Sequence, residues 1–481
     1  MRKSCISSRA QEVGTMSFII YDLIFFILCT ALVAIFLYTH RHKLQREGWL
    51  YLYRTKVGLK IIDWSGRKHA AFLRPLQYVV VFSGYALMAA MLWFMGTFTY
   101  KYLVSPTFAE QLRVPILTPL VPYIDKLFPS EILPPFYFTY WIIIIAIIAI
   151  PHEFAHGIFA RLNKVKIHST GFGFLGPFLA AFVEQDEKDM KKAKKFPQLA
   201  ILAAGTFANV LMTVLFGIIL IGFILVFFVP IGVNFNTYPL AMINVSDIAT
   251  LNTLPFSLSS PLIAEGTALV TLTTLQNRSY LIPPEILQQT LEEKHPQMVV
   301  YEDAPAVRAQ LSGAITSIDG RPTTSYPALR EVLESYAPGA NITIVTRNND
   351  GEQTYRLTLA EREGKAFLGI GITPMETKGL RGWLYATFSK VKDPYVYYES
   401  RLGEFRTFIY DLLWWIVLIN LSVALVNMLP VGIFDGGRFF YLTVWGLTGS
   451  ESIGQKAFKI STWILLALVA LMMLKWVWVI I

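Results

Sequence analysis

Six long apolar runs dominate the pattern along this 481-residue chain. Each run is long enough, and poor enough in charge, for an α-helix that crosses a hydrocarbon core about 30 Å thick. We therefore expect an all-α polytopic membrane bundle of about six transmembrane helices. The runs are Ser17–Thr39, Leu76–Tyr100, Phe136–Ala160, Leu199–Pro230, Phe408–Leu429 and Phe458–Ile481.

Composition and charge agree with a protein of the lipid bilayer. Hydrophobic residues make up 54% of the chain and charged residues 16%, which excludes an ordinary soluble domain. The net charge of +9 predicts no nucleic-acid partner, because much of the basic excess lies in short loops beside lipid headgroups. The loop after the first run is far richer in Lys and Arg than the loop after the second, so we expect it to be cytoplasmic.

The strongest chemical signal lies within the third run. It reads His152-Glu153-Phe154-Ala155-His156, the H-E-x-x-H pattern. Positions i and i+4 share one helix face, so His152 and His156 can bind one zinc ion while Glu153 activates a water molecule. The alternative is a pair of core histidines near the membrane interface, but ionisable groups within a span are usually functional. Pro151 removes a helical hydrogen bond at this point, which predicts a kink that either opens a water path or distorts the site.

A catalytic zinc ion needs a third protein ligand, and the fifth run ends with a candidate. After Asn427 the chain is broken by Pro430 and Gly432 and then reaches Asp435. Irregular backbone at membrane depth is tolerated where it lines a cavity, so this carboxylate can approach a metal on a neighbouring helix. The alternative is a plain helix stop followed by an Asp-Gly turn.

These two motifs resemble those of the site-2 protease family of intramembrane zinc metalloproteases. The second family pattern, N-x-x-P-x-x-x-x-D-G, is met at every position from Asn427 to Gly436, and a G-x-x-x-N element lies between the two motifs at Gly205 and Asn209. The resemblance implies that His152, His156 and Asp435 hold one Zn²⁺ per chain and that Glu153 is the general base. It also implies that Asn427 and Asn209 orient the substrate or stabilise an oxyanion. Other membrane proteases fit less well, since the Gly-x-Gly-Asp pattern of the aspartyl type is absent.

Two further segments lie outside the bundle pattern. Gly171–Val183 is apolar but short and rich in Gly, which predicts a re-entrant β-hairpin; it either pairs with an unwound substrate as an edge strand or plugs the site. From about 303 to 375 a strand, a helix at Tyr326–Tyr336 and two strands at Ile342–Arg347 and Thr354–Leu359 resemble a PDZ domain of α+β type. It serves either as a gate for substrates or as a structural cap. Residues 231–302 match no pattern and include an irregular stretch at Ser257–Pro261.

The expected organisation has four parts. Residues 1–135 hold two helices and the basic loop, 136–230 the zinc-site helix, hairpin and next helix, 231–405 the extracytoplasmic region, and 406–481 two helices with the second motif. The resemblance implies hydrolysis within transmembrane segments of single-pass proteins already trimmed by another protease. We expect a prokaryotic cell membrane, and the loop charges predict that the site lies toward the cytoplasm. The alternatives are a membrane metal transporter, whose path would also need polar residues within spans, and an inactive relative that binds clients.

Overall fold

The computed structural model describes residues 18–48, 50–105, 120–127, 134–176, 178–256, 268–293, 295–348, 351–372, 382, 386–387, 389–402 and 405–480. The chain forms two compact units, one from Met1–Leu220 and Thr407–Ile481, the other from Ile221–Arg406. The helices are α1 (Phe18–Thr39), α2 (Leu59–Lys68), α3 (Ala70–Val104), α4 (Ile124–Leu127), α5 (Phe138–Leu162), α6 (Glu187–Lys192), α7 (Lys195–Phe227), α8 (Pro284–Glu292), α9 (Pro305–Arg308), α10 (Tyr326–Glu334), α11 (Phe405–Asn427), α12 (Asp435–Thr448) and α13 (Glu451–Ile480).

Six helices in the described part of the chain are long and apolar enough to cross a membrane, as the six runs predict. They are α1, α3, α5, α7, α11 and α13. The protein is therefore a multi-pass membrane protein. One predicted end is wrong: the fourth run was expected to continue as helix to Pro230, but α7 ends at Phe227 and a strand begins at Phe228. The β-branched residues Val229, Ile231 and Val233 favour a strand there, and Pro230 cannot continue the helix.

A four-stranded antiparallel sheet lies within the first unit. Its strands are β1 (Leu44–Glu47), β2 (Leu50–Thr55), β3 (Ile167–Leu175) and β4 (Phe178–Gln185), in the order β1-β2-β3-β4. The β3–β4 hairpin coincides with the hairpin predicted around Gly171–Val183, whereas β1 and β2 were expected to be a basic loop. Gly171 allows the close pairing, since a Cβ there would lie 2.4 Å from the Tyr53 carbonyl oxygen.

A buried carboxylate on α1 anchors the start of α5. Asp22 is 2% exposed and accepts hydrogen bonds from the backbone N–H groups of Phe138 at 2.8 Å and Thr139 at 2.9 Å. The hydroxyl groups of Thr139 and Tyr123 also donate to it. The first turn of a helix has N–H groups without intrahelical partners and a positive dipole end, so a carboxylate from a neighbouring helix satisfies both.

Two sheets form the second unit. One has the order β15-β14-β12-β5-β18, with β13 beside β12; the other has the order β6-β11-β10-β9-β7-β8, and β16 and β17 form a separate hairpin. The strands are β5 (Phe228–Val233), β6 (Leu240–Asn244), β7 (Ile248–Leu251), β8 (Leu254–Pro255), β9 (Val270–Thr274), β10 (Ser279–Ile282), β11 (Gln297–Glu302), β12 (Ala314–Ile318), β13 (Arg321–Pro322), β14 (Asn341–Asn348), β15 (Gly351–Thr358), β16 (Ala360–Arg362), β17 (Lys365–Phe367) and β18 (Val396–Ser400).

The first of these sheets contains the three strands that the sequence predicts after residue 303, together with β5 and β18 from the two ends of the unit. The predicted helix is α10. The second sheet lies within the segment 231–302, which matches no pattern in the sequence. It buries Leu272, Ile282 and Leu287 in a core of its own. The stretch Ser257–Pro261, expected to be irregular, lies outside the described residues.

Candidate metal centre

The three side chains expected to bind a metal converge at one point in the first unit. His152 and His156 project from α5, and their Nε2 atoms lie 3.0 Å apart. The Oδ2 atom of Asp435 lies 3.5 Å from the first of these nitrogens and 3.3 Å from the second. Among the described residues, these three form a group of metal-ligating side chains. The predicted i,i+4 pairing and the distant third residue therefore meet.

The spacing of the three atoms fits a tetrahedral zinc site. With bonds of about 2.0–2.1 Å, two ligand atoms of a tetrahedral zinc ion lie about 3.3 Å apart. The three observed separations of 3.0, 3.3 and 3.5 Å bracket that value. Two imidazoles and a carboxylate are also ligands that zinc accepts in sites that keep a fourth position open.

One face of α7 supports both histidines. Ile201, Gly205 and Asn209 are spaced four residues apart and so share that face. The Ile201 carbonyl oxygen lies 2.7 Å from Nδ1 of His156, so this nitrogen donates and its Nε2 is left as an acceptor for a metal. A Cβ at Gly205 would lie 2.3 Å from the His156 Nε2 atom. The glycine of the G-x-x-x-N element therefore lies directly against the two imidazoles.

Asn209 orients the second histidine. Its side chain is fully buried, and its amide nitrogen Nδ2 lies 3.1 Å from Nδ1 of His152. A metal bound at Nε2 of His152 would leave the hydrogen on Nδ1, which would then need an acceptor. The amide oxygen of Asn209 has no hydrogen-bond partner among the described residues, and a half-turn that exchanges the amide oxygen and nitrogen would supply that acceptor.

Two glycines allow Asp435 to reach the site. The carboxylate lies in the first turn of α12, directly after the irregular loop that follows α11. A Cβ at Gly436 would lie 2.3 Å from the Met428 carbonyl carbon, and one at Gly437 would lie 2.3 Å from the Val431 oxygen. Only residues without a side chain let α12 begin so close to the backbone of this loop. The sequence Asp-Gly-Gly is therefore a packing requirement as well as a turn signal.

The remaining expected residues have clear positions but fewer contacts. Glu153 follows His152 on α5, and its Oε2 atom accepts a 3.0 Å hydrogen bond from the backbone N–H of Val183 on β4. Asn427 is the last residue of α11, is half-buried, and makes no hydrogen bond through its side chain within the described part of the chain. The helix continues through Pro151 to Leu162. The supporting roles of Ile201 and Val183 carry no sequence signal, because both act through backbone atoms.

Comparison with known proteins agrees with this geometry. A search of curated proteins finds no match to the chain. The family model described as Peptidase family M50 matches residues 140–472, which is more than half of the chain and includes all three candidate ligands. Proteases of this family are intramembrane metalloproteases that use zinc. The chain therefore belongs to peptidase family M50, the site-2 protease family.

Proposed function

We propose that this chain is an active zinc metalloprotease that hydrolyses peptide bonds within transmembrane segments of single-pass proteins. The observation that carries the proposal is the convergence of His152, His156 and Asp435 at tetrahedral spacing, with Glu153 next to them on the same helix. A zinc ion held by these residues would polarise the substrate carbonyl and make a water molecule more acidic.

The chain's own residues supply the remaining steps. Glu153 accepts the proton of the attacking water and passes it to the departing amine. The Ile201 carbonyl and the Asn209 amide keep the two imidazoles in the tautomer that binds a metal. Asn427 is the candidate for orienting the substrate or stabilising the developing oxyanion. For Asn209 the contact with His152 favours a positioning role over the contact with substrate that the motif implies.

Strand β4 offers a way to bind an unwound substrate. A transmembrane helix hides its carbonyl groups in internal hydrogen bonds, so the protease must extend it first. Strand β4 is the last strand of its sheet, and no strand among the described residues pairs with its outer side. Addition of the substrate as a further strand would extend its backbone beside the helix that carries the candidate ligands.

The proposal also covers the membrane orientation of the protein and the role of the second unit. We infer from the loop charges that the metal centre lies toward the cytoplasm of a prokaryotic cell and the second unit outside. The strand and helix order of residues 305–358 supports a PDZ-like module, acting either as a gate against substrates with large outer domains or as a cap. A gate would explain why the substrate must first be trimmed by another protease.

A metal transporter is less consistent with the contacts of two ionisable residues within the spans. Asp22 is bound to the first turn of α5, and the Lys475 amino group donates to the carbonyl oxygens of Tyr102 at 2.7 Å and Leu103 at 2.9 Å. Both charged groups thus bind backbone groups at helix ends that lack partners within their own helix. This role is structural, and it leaves neither group suited to pass an ion along a path.

The test compares Glu153→Ala with wild-type protein on a model single-pass substrate. We expect cleavage to fall by a factor of about 10²–10⁴, because a positioned general base contributes this much. Zinc content should stay near one ion per chain, since the three ligands remain. Glu187→Ala, at an exposed glutamate on α6, is the matched control and should cleave normally. Equal cleavage by Glu153→Ala and wild type would rule out the proposed reaction.

A further inference from the structure

The carboxylate of Glu153 is held by the protein backbone. Among the described residues, the Glu153 side chain makes one hydrogen bond, which it accepts from the Val183 N–H at 3.0 Å. The candidate general base is therefore tied to the very strand proposed to receive the substrate. This contact links base and substrate strand in a way that neither motif reveals.

The orientation of β4 shows which of its backbone groups face outward. Successive residues of a strand direct their N–H and C=O groups to opposite edges. The Asp186 N–H bonds to the Lys166 carbonyl oxygen on the β3 side, so even-numbered residues face β3. Odd-numbered residues therefore face the outer edge, in agreement with the Glu153 contact at Val183.

In the part of the chain that the structure describes, a backbone hydrogen-bonding group on the outer edge of β4 has a partner at the Val183 end of the strand only. Leu179 and Ala181 face outward like Val183, and no hydrogen bond within the described chain reaches their outward N–H and C=O groups. Unpaired backbone groups on an edge strand are a template for another strand. A strand that pairs with these two residues meets the next outward N–H at Val183, which already has an acceptor.

We propose that the bond between Glu153 and Val183 is a latch that the substrate itself opens. The inference rests on the proposed function, in which the substrate adds to β4. A substrate strand that extends past Ala181 presents a carbonyl oxygen to the Val183 N–H and takes the place of Glu153. Because one N–H cannot donate fully to both acceptors, complete pairing releases the carboxylate. The base becomes free only when the extended substrate backbone already lies beside the metal ligands.

Packing keeps the latch in register. A Cβ at Gly157 would lie 3.3 Å from the Cγ1 atom of Val183, so the valine side chain lies close against α5. The next residue, Glu184, is bound by the Arg54 guanidinium through two hydrogen bonds of 2.9 and 3.2 Å. Val183 is thus fixed from both sides, and the exchange of acceptors requires movement of the Glu153 side chain alone.

Amide hydrogen exchange of two inactive variants tests the latch. Glu153→Gln keeps an oxygen that can accept the Val183 N–H, whereas Glu153→Ala has none, and neither variant consumes the substrate. In full-length protein in detergent without substrate, we expect the Val183 amide to exchange about fivefold faster in Glu153→Ala than in Glu153→Gln. The Leu179 amide should exchange equally in both and serves as the internal control.

Addition of a synthetic single-span peptide tests the handover. With peptide, hydrogen exchange of the Leu179 and Ala181 amides should become slower in both variants. Exchange of the Val183 amide should become slower in Glu153→Ala. Equal exchange at Val183 in the two peptide-free variants would overturn the latch. If peptide slows the exchange of the Leu179 and Ala181 amides in Glu153→Ala but not that of the Val183 amide, the handover is overturned and strand addition remains. If none of the three slows although wild-type protein cleaves the peptide, the latch and strand addition both fail while the protease function stands.

Discussion

At the scale of single residues, the clearance at Gly205 decides whether the metal site can form. A methyl group there would lie 2.3 Å from Nε2 of His156 and 2.6 Å from Nε2 of His152, well inside van der Waals contact. We expect Gly205→Ala to lower zinc affinity by about 100-fold or more, since even loss of a supporting contact costs 10–100-fold. Metal analysis of the purified protein measures this.

Gly217 provides the control on the same helix, because a Cβ there meets nothing within 4 Å. Gly217→Ala should retain zinc and gain a little helix stability, since alanine is the better helix former by about 1 kcal/mol. Equal zinc content in the two variants would contradict the assignment of the site to this face of α7.

Substitutions at Asn209 distinguish a positioning role of its side chain from a direct role in catalysis. If its amide oxygen accepts from His152, Asn209→Ala leaves a buried N–H without a partner and weakens zinc binding by about 10–100-fold. Asn209→Asp keeps an acceptor and should bind zinc more tightly than the alanine variant. Competition with a chelator gives both affinities. Unchanged zinc affinity together with a lower kcat would instead support contact with the substrate.

At the scale of elements, the hairpin β1–β2 stabilises the sheet that carries Val183. Arg54 on β2 spans β3 to reach Glu184 on β4, and Ser169 on β3 donates to the same carboxylate. Hydrogen bonding to Arg54 is the main cause that lowers the pKa of Glu184 below its ordinary value. A carboxyl group with a lowered pKa stabilises the folded state at pH values above its pKa in the unfolded chain. This contribution is lost as the pH falls through its pKa in the folded protein.

A double-mutant cycle with Arg54→Met and Glu184→Gln measures this pair. Both side chains are partly exposed, so we expect a coupling energy of about 1 kcal/mol at neutral pH in the local opening of β3 and β4. Amide exchange of the two strands reports it, and the coupling should shrink in acid as Glu184 becomes protonated. The exposed pair of Glu187 and Lys191 is the control and should couple more weakly. Additive single variants would show that the hairpin is held by its backbone ladder alone.

At the scale of the whole molecule, the sequence predicts what depends on local pattern. The six spans follow from run length, and the candidate ligands follow from the i,i+4 spacing of His152 and His156 and from the motif that contains Asp435. The pairing of β2 with β3 could not be read from the sequence, because the two strands lie about 115 residues apart and β2 falls in a segment that reads as a basic loop. The sheet of residues 240–302 was missed for a similar reason: its strands are short and meet out of chain order.

The second unit closes on itself through its two ends, which predicts that it folds alone. Strands β5 and β18 pair antiparallel, and Val233 and Val396 face each other in buried positions. We expect a fragment of residues 228–402 to unfold cooperatively when followed by circular dichroism. A fragment of residues 234–402 lacks β5 and the burial of Val233, worth about 1.5–3 kcal/mol. Its Tm should be lower by about 3–12 °C, at about 2–4 °C per kcal/mol for a unit of this size. Equal melting of the two fragments would mean that β5 belongs with the membrane helix that precedes it and contributes nothing to the fold of the second unit.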